Sequence, residues 1–329
     1  MRSCNRRHLH IHLGLRPIAA TVATLATLLG LGACASLSVL PARSRDVELK
    51  VGREQRDYIL HVPRSYDRGT AAPLVVLLHG HGSRAQTFER LTGMSGKADH
   101  NGFIVAYPQA LGSPSVWHSG VDGSARIDDV AFIRTLIDSI RAAYNIDPDR
   151  IYVAGHSNGA FMAYRVGVVL SSTVAAIGIS AGSIGRITSR GDTVRVQAPP
   201  QPVSLIAFHG LADNMVPYDG GAETDGPRRI VSAPASIRFW AIADGCSMAP
   251  DTTVLERGNV VRADFTGCRA ATEVVFYTIS DGTHKWAGDR TPWWKFWEHT
   301  NNSLSATDEM WAFFKAHPKV KPDSLAATP

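Results

Sequence analysis

A short apolar run that ends in a glycine–serine–glycine turn and continues as a helix leaves few folds open. This chain has one at Ile151-Tyr152-Val153-Ala154-Gly155-His156-Ser157-Asn158-Gly159-Ala160-Phe161-Met162. Ile151 to Ala154 is β-branched and aromatic, the composition of a parallel strand buried on both faces. Ala160 to Val166 combines good helix formers with apolar residues at helical spacing. Between them, G-x-S-x-G reverses the chain so tightly that side chains at Gly155 and Gly159 would meet neighbouring backbone, and Ser157 must take a positive φ. The helix N-terminus beneath the serine directs backbone N–H groups at any negative charge that forms there. Strand, tight turn and helix together make the context of a nucleophile elbow rather than a βα turn that contains serine by chance.

A serine hydroxyl needs a base to take its proton, and the base needs a third group to fix its tautomer. In α/β-hydrolases the chain order is Ser, then Asp or Glu, then His. Asp213 follows the apolar run Val203–Gly210, and His284 follows Glu273–Ile279, so both fall at the carboxyl edge of a sheet, with Ser157. Asp219, Asp244 and Asp281 are rival acids, and His299 is a rival base. His209 reads as a structural hydrogen-bonding residue. A further buried run, Pro73 to Leu78, stops at His79-Gly80-His81-Gly82. The turn after such a strand supplies one oxyanion N–H, assigned here to His81, and the residue after the nucleophile, Asn158, supplies the other. His79 and His81 lack a carboxylate or cysteine cluster beside them, so no metal is expected.

Other elements repeat the pattern. Val47–Val51 and Arg56–Val62 alternate like a hairpin, Gly102–Pro108 and Val174–Ser180 are buried strands, and Asp128–Tyr144, Ala235–Ala243 and Ser305–Ala316 have helical spacing. Asp147-Pro148-Asp149-Arg150 reads as a turn, and 184–202 as an irregular surface loop. Strand–helix alternation predicts an α/β class fold, a mostly parallel twisted sheet with helices on both faces.

The first residues stand apart. Arg2, Arg6, Arg7 and Arg16 precede an uncharged apolar stretch, Ile18 to Gly32, too short for a comfortable membrane span. It ends at Leu31-Gly32-Ala33-Cys34, which resembles a lipobox with Cys34 as the lipidated residue. The expected organisation is a signal peptide over 1–33, a tether over 34–46, one domain over 47–318 and a loose tail over 319–329. Export follows, extracellular or lipid-anchored, with membrane contact only through that lipid. Four of the 34 basic residues lie in the leader, which leaves 30 against 29 acids and a formal charge near +1. Nothing there calls for nucleic acid as a partner. Outside the leader and Cys34, only Cys246 and Cys268 remain, an even pair that in an exported chain reads as a disulfide, with two free thiols as the alternative.

At these residues the sequence resembles the polyhydroxybutyrate depolymerase and feruloyl esterase-like family of secreted α/β-hydrolases. The stretches that carry the resemblance are Leu77-Leu78-His79-Gly80, Asp147 to Val153, Gly155 to Gly159, Phe208-His209-Gly210 with Asp213 and Val216-Pro217-Tyr218, Phe239-Trp240 with Gly245-Cys246, and Thr283-His284 with Trp286. They span most of the chain from about Val47 to His317. The resemblance implies ester hydrolysis by Ser157, Asp213 and His284, and it also implies the Cys246–Cys268 pairing. It implies no cofactor. The substrate is then a polyester oligomer, a feruloylated or acetylated polysaccharide, or a simple ester. A binding module on the same fold is the non-enzymatic alternative. Trp293, Trp294, Phe296 and Trp297 make the segment after Trp286 richer in aromatics than the family pattern. With Trp117 and Trp286, the tryptophans at 293, 294 and 297 are the expected substrate-binding residues, although Trp286 also reads as a residue packing its loop onto the domain.

Overall fold

The computed structural model describes residues 44–121, 127–222, 229–289 and 304–320. In chain order the strands are β1 (Ser44–Val51), β2 (Glu54–His61), β3 (Ala72–Leu78), β4 (Ile104–Pro108), β5 (Ile146–His156), β6 (Ala176–Ser180), β7 (Gly185–Ile187), β8 (Thr193–Arg195), β9 (Ser204–Gly210), β10 (Gly221–Ala222), β11 (Arg229–Ile230), β12 (Asp251–Leu255), β13 (Val260–Phe265) and β14 (Val274–Ile279). The helices are α1 (Ala85–Thr92), α2 (Met94–Asn101), α3 (Asp129–Ala143), α4 (Asn158–Val169), α5 (Ala233–Asp244) and α6 (Ala306–Ala316).

The main sheet runs β1-β2-β4-β3-β5-β6-β9-β14-β13-β12. Its centre, from β4 to β14, is parallel, and the hairpins β1–β2 and β12–β13 extend it antiparallel at either edge. The central strands read as unbroken apolar runs because both faces are covered. On β3, Leu74, Val76 and Leu78 pack with Phe132 of α3 and Met162 of α4, while Val75 and Leu77 pack on the other face with Phe88 of α1 and Phe314 of α6. This is the α/β-hydrolase fold.

Three local expectations change. The stretch 184–202 is not irregular throughout: β7 and β8 pair within it and join β11 and β10 in a second, four-stranded sheet. These strands are two or three residues long, too short to show a period. Asp147 to Arg150 lies within β5, which starts at Ile146 opposite Ala72 and slips register before Leu74 meets Ile151. β1 begins at Ser44, three residues before the alternation does.

Cys246 and Cys268 form a disulfide that ties the end of α5 to the turn after β13. Beside it, Asp244 is buried at the end of α5, where its Oδ1 accepts the Val203 N–H at 3.4 Å. Burial pushes this carboxyl up from 3.8 to about 7. Between those values the folded chain holds a proton that the unfolded chain has released, so stability falls as pH rises from about 4 to about 7. Asp244→Asn is expected to flatten that decline, which is on the order of a few kcal/mol. Urea melts of both proteins at pH 5 and pH 8 measure it, and equal slopes would exclude Asp244 as the source.

Candidate active site

Four chain segments leave the carboxyl edge of the parallel sheet and converge. β5 ends at His156, and Ser157 follows at φ 54°, ψ −123°, directly before α4. The turn is locked by close backbone contact. A Cβ on Gly155 would lie 2.2 Å from the Gly159 carbonyl oxygen, and a Cβ on Gly159 would lie 2.2 Å from the Leu78 carbonyl oxygen. Ser157 N–H donates to the Ser180 carbonyl at 2.9 Å, which fixes the strained residue to β6.

The segments after β9 and β14 cross at two glycines. A Cβ on Gly210 would lie 1.9 Å from the Gly282 carbonyl oxygen, so neither residue has room for a side chain there. Ala212 N–H donates to Gly282 at 3.0 Å, and Leu211 N–H to Ile279 at 2.9 Å. This crossing brings the acid loop and the histidine loop together.

His284 then joins both partners. Its Nε2 lies 2.8 Å from Ser157 Oγ, and its Nδ1 lies 2.8 Å and 3.1 Å from Asp213 Oδ2 and Oδ1. Asp213 Oδ1 also accepts the N–H groups of Met215 at 3.0 Å and Val216 at 2.9 Å. Burial works to raise the Asp213 carboxyl. The hydrogen bond and charge of His284, the Val216 amide and His209 outweigh it, and the group stays below the ordinary carboxylate value and ionised. With Nδ1–H donated to a carboxylate, Nε2 keeps a lone pair aimed at the serine hydroxyl.

The neighbouring histidines serve as scaffolding. His209 Nε2–H donates to the Val216 carbonyl at 2.8 Å and closes the acid loop, as its structural reading anticipates. His79 Nδ1–H donates to the Gly80 carbonyl at 2.8 Å, and its Nε2 accepts from Ala110 N–H at 3.1 Å. The His156 ring lies 5.0 Å from the His284 ring, centre to centre and tilted 43° to it, with Nδ1 3.1 Å from Ser180 Oγ. Its pKa is held well below the ordinary histidine value by desolvation first and by His284 second, so it stays neutral beside a base that must take up charge.

The rival residues lie elsewhere. Asp219 is exposed at the far end of the acid loop, Asp281 bonds Asn259 at 2.8 Å, and Asp244 sits at the opposite edge of the sheet. Of the two expected oxyanion donors, Asn158 directly follows the serine, and His81 follows Gly80 in the turn after β3. Gly80 packs on Ser157, where a Cβ would come 3.4 Å from the serine Cβ, and Asn158 is the first residue of α4, whose N–H has no helical acceptor.

Two of the expected substrate-binding tryptophans are core residues. Trp117 is fully buried, and its Nε1–H donates to the His79 carbonyl at 2.9 Å. Trp286 is 1% exposed, and its Nε1–H donates to Thr307 Oγ1 at 3.0 Å while its ring meets Phe88 edge-on. An indole whose N–H and faces are already satisfied inside the domain offers a substrate nothing. Trp286 instead pins the His284 loop to α1 and α6. Trp293, Trp294, Trp297, His299 and Cys34 lie outside the described residues. Sequence reading missed the clamping role of Trp117 and the Gly210–Gly282 crossing; a glycine at each of two loops meant to converge was the signal available.

Residues 57–216 match the family model described as esterase PHB depolymerase. Feruloyl esterase B of Piromyces equi is 29% identical over 246 residues, which cover 73% of this chain and 44% of that protein. A Nocardia uniformis subsp. tsuyamanensis protein carrying an esterase designation is 28% identical over 271 residues, 75% of each chain. Among solved structures, an acetyl xylan esterase from Aspergillus awamori superposes with a TM-score of 0.60 at 14% identity, over 82% of this chain and 99% of that one, a likeness of fold.

Proposed function

We propose that this chain, a carboxylic-ester hydrolase, is a member of the polyhydroxybutyrate depolymerase and feruloyl esterase-like family, and that Ser157, His284 and Asp213 carry the reaction on acyl esters of polysaccharide hydroxyls. The observation that supports the catalytic reading is the unbroken run of hydrogen bonds from Asp213 through His284 to Ser157 at the carboxyl edge of the sheet. Ser157 Oγ attacks the ester carbonyl carbon as His284 Nε2 takes its proton. The tetrahedral oxyanion receives the N–H groups of Asn158 and His81. Collapse breaks the bond to the alcohol oxygen, which leaves with the proton held on His284. Water then attacks the acyl-serine by the same route, releases the acid and restores Ser157.

The feruloyl esterase among the relatives supports a polysaccharide side-chain ester as substrate. The family description supports a second reading, a hydroxyalkanoate polyester. Lipidation at Cys34 with export belongs to the same proposal and rests on the leader alone.

A substrate panel separates the two readings. The kcat/KM on methyl ferulate and on acetylated xylo-oligomers is expected to exceed that on hydroxybutyrate oligomers, with p-nitrophenyl butyrate as the common reference. The opposite ranking would move the assignment to polyesters. Activity on none of the four would leave the proposed chemistry without support.

A further inference from the structure

We propose that Trp117 is the positioning residue of the oxyanion hole, a buried crossbar that holds its two N–H donors at a fixed separation; this rests on the catalytic reading above. The two donors belong to different elements. His81 lies in the turn after β3 and Asn158 opens α4 after β5. The ladder between these strands ends at Leu78 opposite Gly155, so the residues beyond it are set by other contacts.

Trp117 supplies those contacts on both sides. Its peptide is gripped by the Asn158 carboxamide: Trp117 N–H donates to Asn158 Oδ1 at 2.7 Å, and Asn158 Nδ2–H donates to the Trp117 carbonyl at 3.1 Å. Its indole N–H reaches the other side and donates to the His79 carbonyl at 2.9 Å, two residues ahead of His81. One side chain and its own peptide thus link the residue that carries the first donor to the strand end that carries the second.

The crossbar is itself anchored from behind. The indole stacks on Phe132 of α3 at 15° between planes, and the Arg56 guanidinium covers Phe132 at 3.9 Å. Arg56 pairs with Asp129 at 2.7 Å, and both are fully buried. The second Asp129 oxygen accepts the His118 N–H at 2.8 Å and lies 3.1 Å from His118 Nδ1, which fixes the residue next to Trp117. A buried ion pair at the start of α3 therefore holds the loop from which the crossbar projects. Hydrogen-bonded on both sides and packed on an anchored ring, Trp117 has little freedom to shift. Oxyanion donors stabilise the transition state only when they stand at hydrogen-bond distance from the place where charge develops, and displacement by about 1 Å is enough to cost up to about 100-fold in rate.

Two substitutions cut one link each and leave both backbone donors in the chain. Trp117→Phe keeps an aromatic ring on Phe132 and loses the bond to His79. Asn158→Ala keeps its own N–H and loses the grip on the Trp117 peptide. Each is expected to lower kcat on p-nitrophenyl butyrate about 10- to 100-fold, with KM within about threefold of wild type. Affinity for butaneboronic acid, whose tetrahedral adduct presents an oxygen to the same donors, is expected to fall by the same factor as kcat. The double variant is expected to lose little more than the worse single one, because both changes sever the same bar.

Wild-type kcat in both variants would overturn the proposal. So would a fall in kcat and melting temperature with boronic acid affinity kept, which marks a packing role alone. A wild-type enzyme that neither binds the boronic acid nor reacts at Ser157 would instead remove the catalytic reading, and this proposal with it.

Discussion

Ser157→Ala is expected to lower kcat on p-nitrophenyl butyrate by about 10⁵- to 10⁶-fold and to leave the fold intact. The lost hydroxyl is the part of the elbow that forms the bond to the acyl carbon. Alanine occupies the same φ 54° with the same Cβ, and the bond from Ser157 N–H to Ser180 remains. What stays behind is an oxyanion site and a binding surface, which in comparable hydrolases give a residual rate about 10³- to 10⁴-fold above water. Because the hydrogen bond from Oγ to His284 sits at a half-buried site, its removal is expected to shift the melting temperature by only a few degrees. A variant that keeps a tenth of the wild-type rate would show that the nucleophile is another residue.

The second large effect is at the acid. Asp213→Asn is expected to lower kcat by about 10⁴-fold. All the groups around the Asp213 oxygens are donors: His284 Nδ1–H and the N–H groups of Met215 and Val216. A carboxamide has one oxygen and one NH₂. If its oxygen keeps the two backbone amides, its NH₂ faces His284 Nδ1 and turns the ring into the other tautomer. Nε2 then carries the proton and has no lone pair for Ser157. If the amide turns the other way, the loop from 213 to 216 loses its acceptor. Asp219→Asn touches none of this and is expected to stay within about twofold of wild type. Steady-state kinetics at constant pH decides between them, and the reverse ranking would move the acid to Asp219.

The parts of this arrangement legible in the sequence share a cause. A parallel sheet covered on both faces shows in sequence as continuous apolar runs, and β3, β5, β9 and β14 are such runs. Once they were found, the carboxyl edge followed, and with it the residues Ser157, Asp213 and His284 that stand just past three of the strand ends. Gly155 and Gly159 were readable because the demand on them is local and steric.

What stayed hidden is tertiary. Trp117 stands in a Gly/Ser/Pro loop, where composition suggests exposure, and only its contacts with Asn158, 41 residues away, and with Phe132 make it a core residue. Asp129 sits in the first turn of α3, a place where a carboxylate is ordinarily solvated; its burial follows from Arg56 on β2, 73 residues earlier. The small second sheet escaped because a strand of two or three residues has no period to detect. Trp286 was legible in part: its reading as a residue that packs its loop onto the domain holds, through Phe88 and Thr307, and its place among the substrate-binding tryptophans does not.

The assignment of the nucleophile is tested most directly by mass spectrometry of the full chain after reaction with a fluorophosphonate. A single phosphonyl adduct on the peptide containing Gly155 to Gly159, localised to Ser157 and absent from Ser157→Ala, is the result predicted. An adduct on a different serine, or one that forms unchanged in Ser157→Ala, would contradict it.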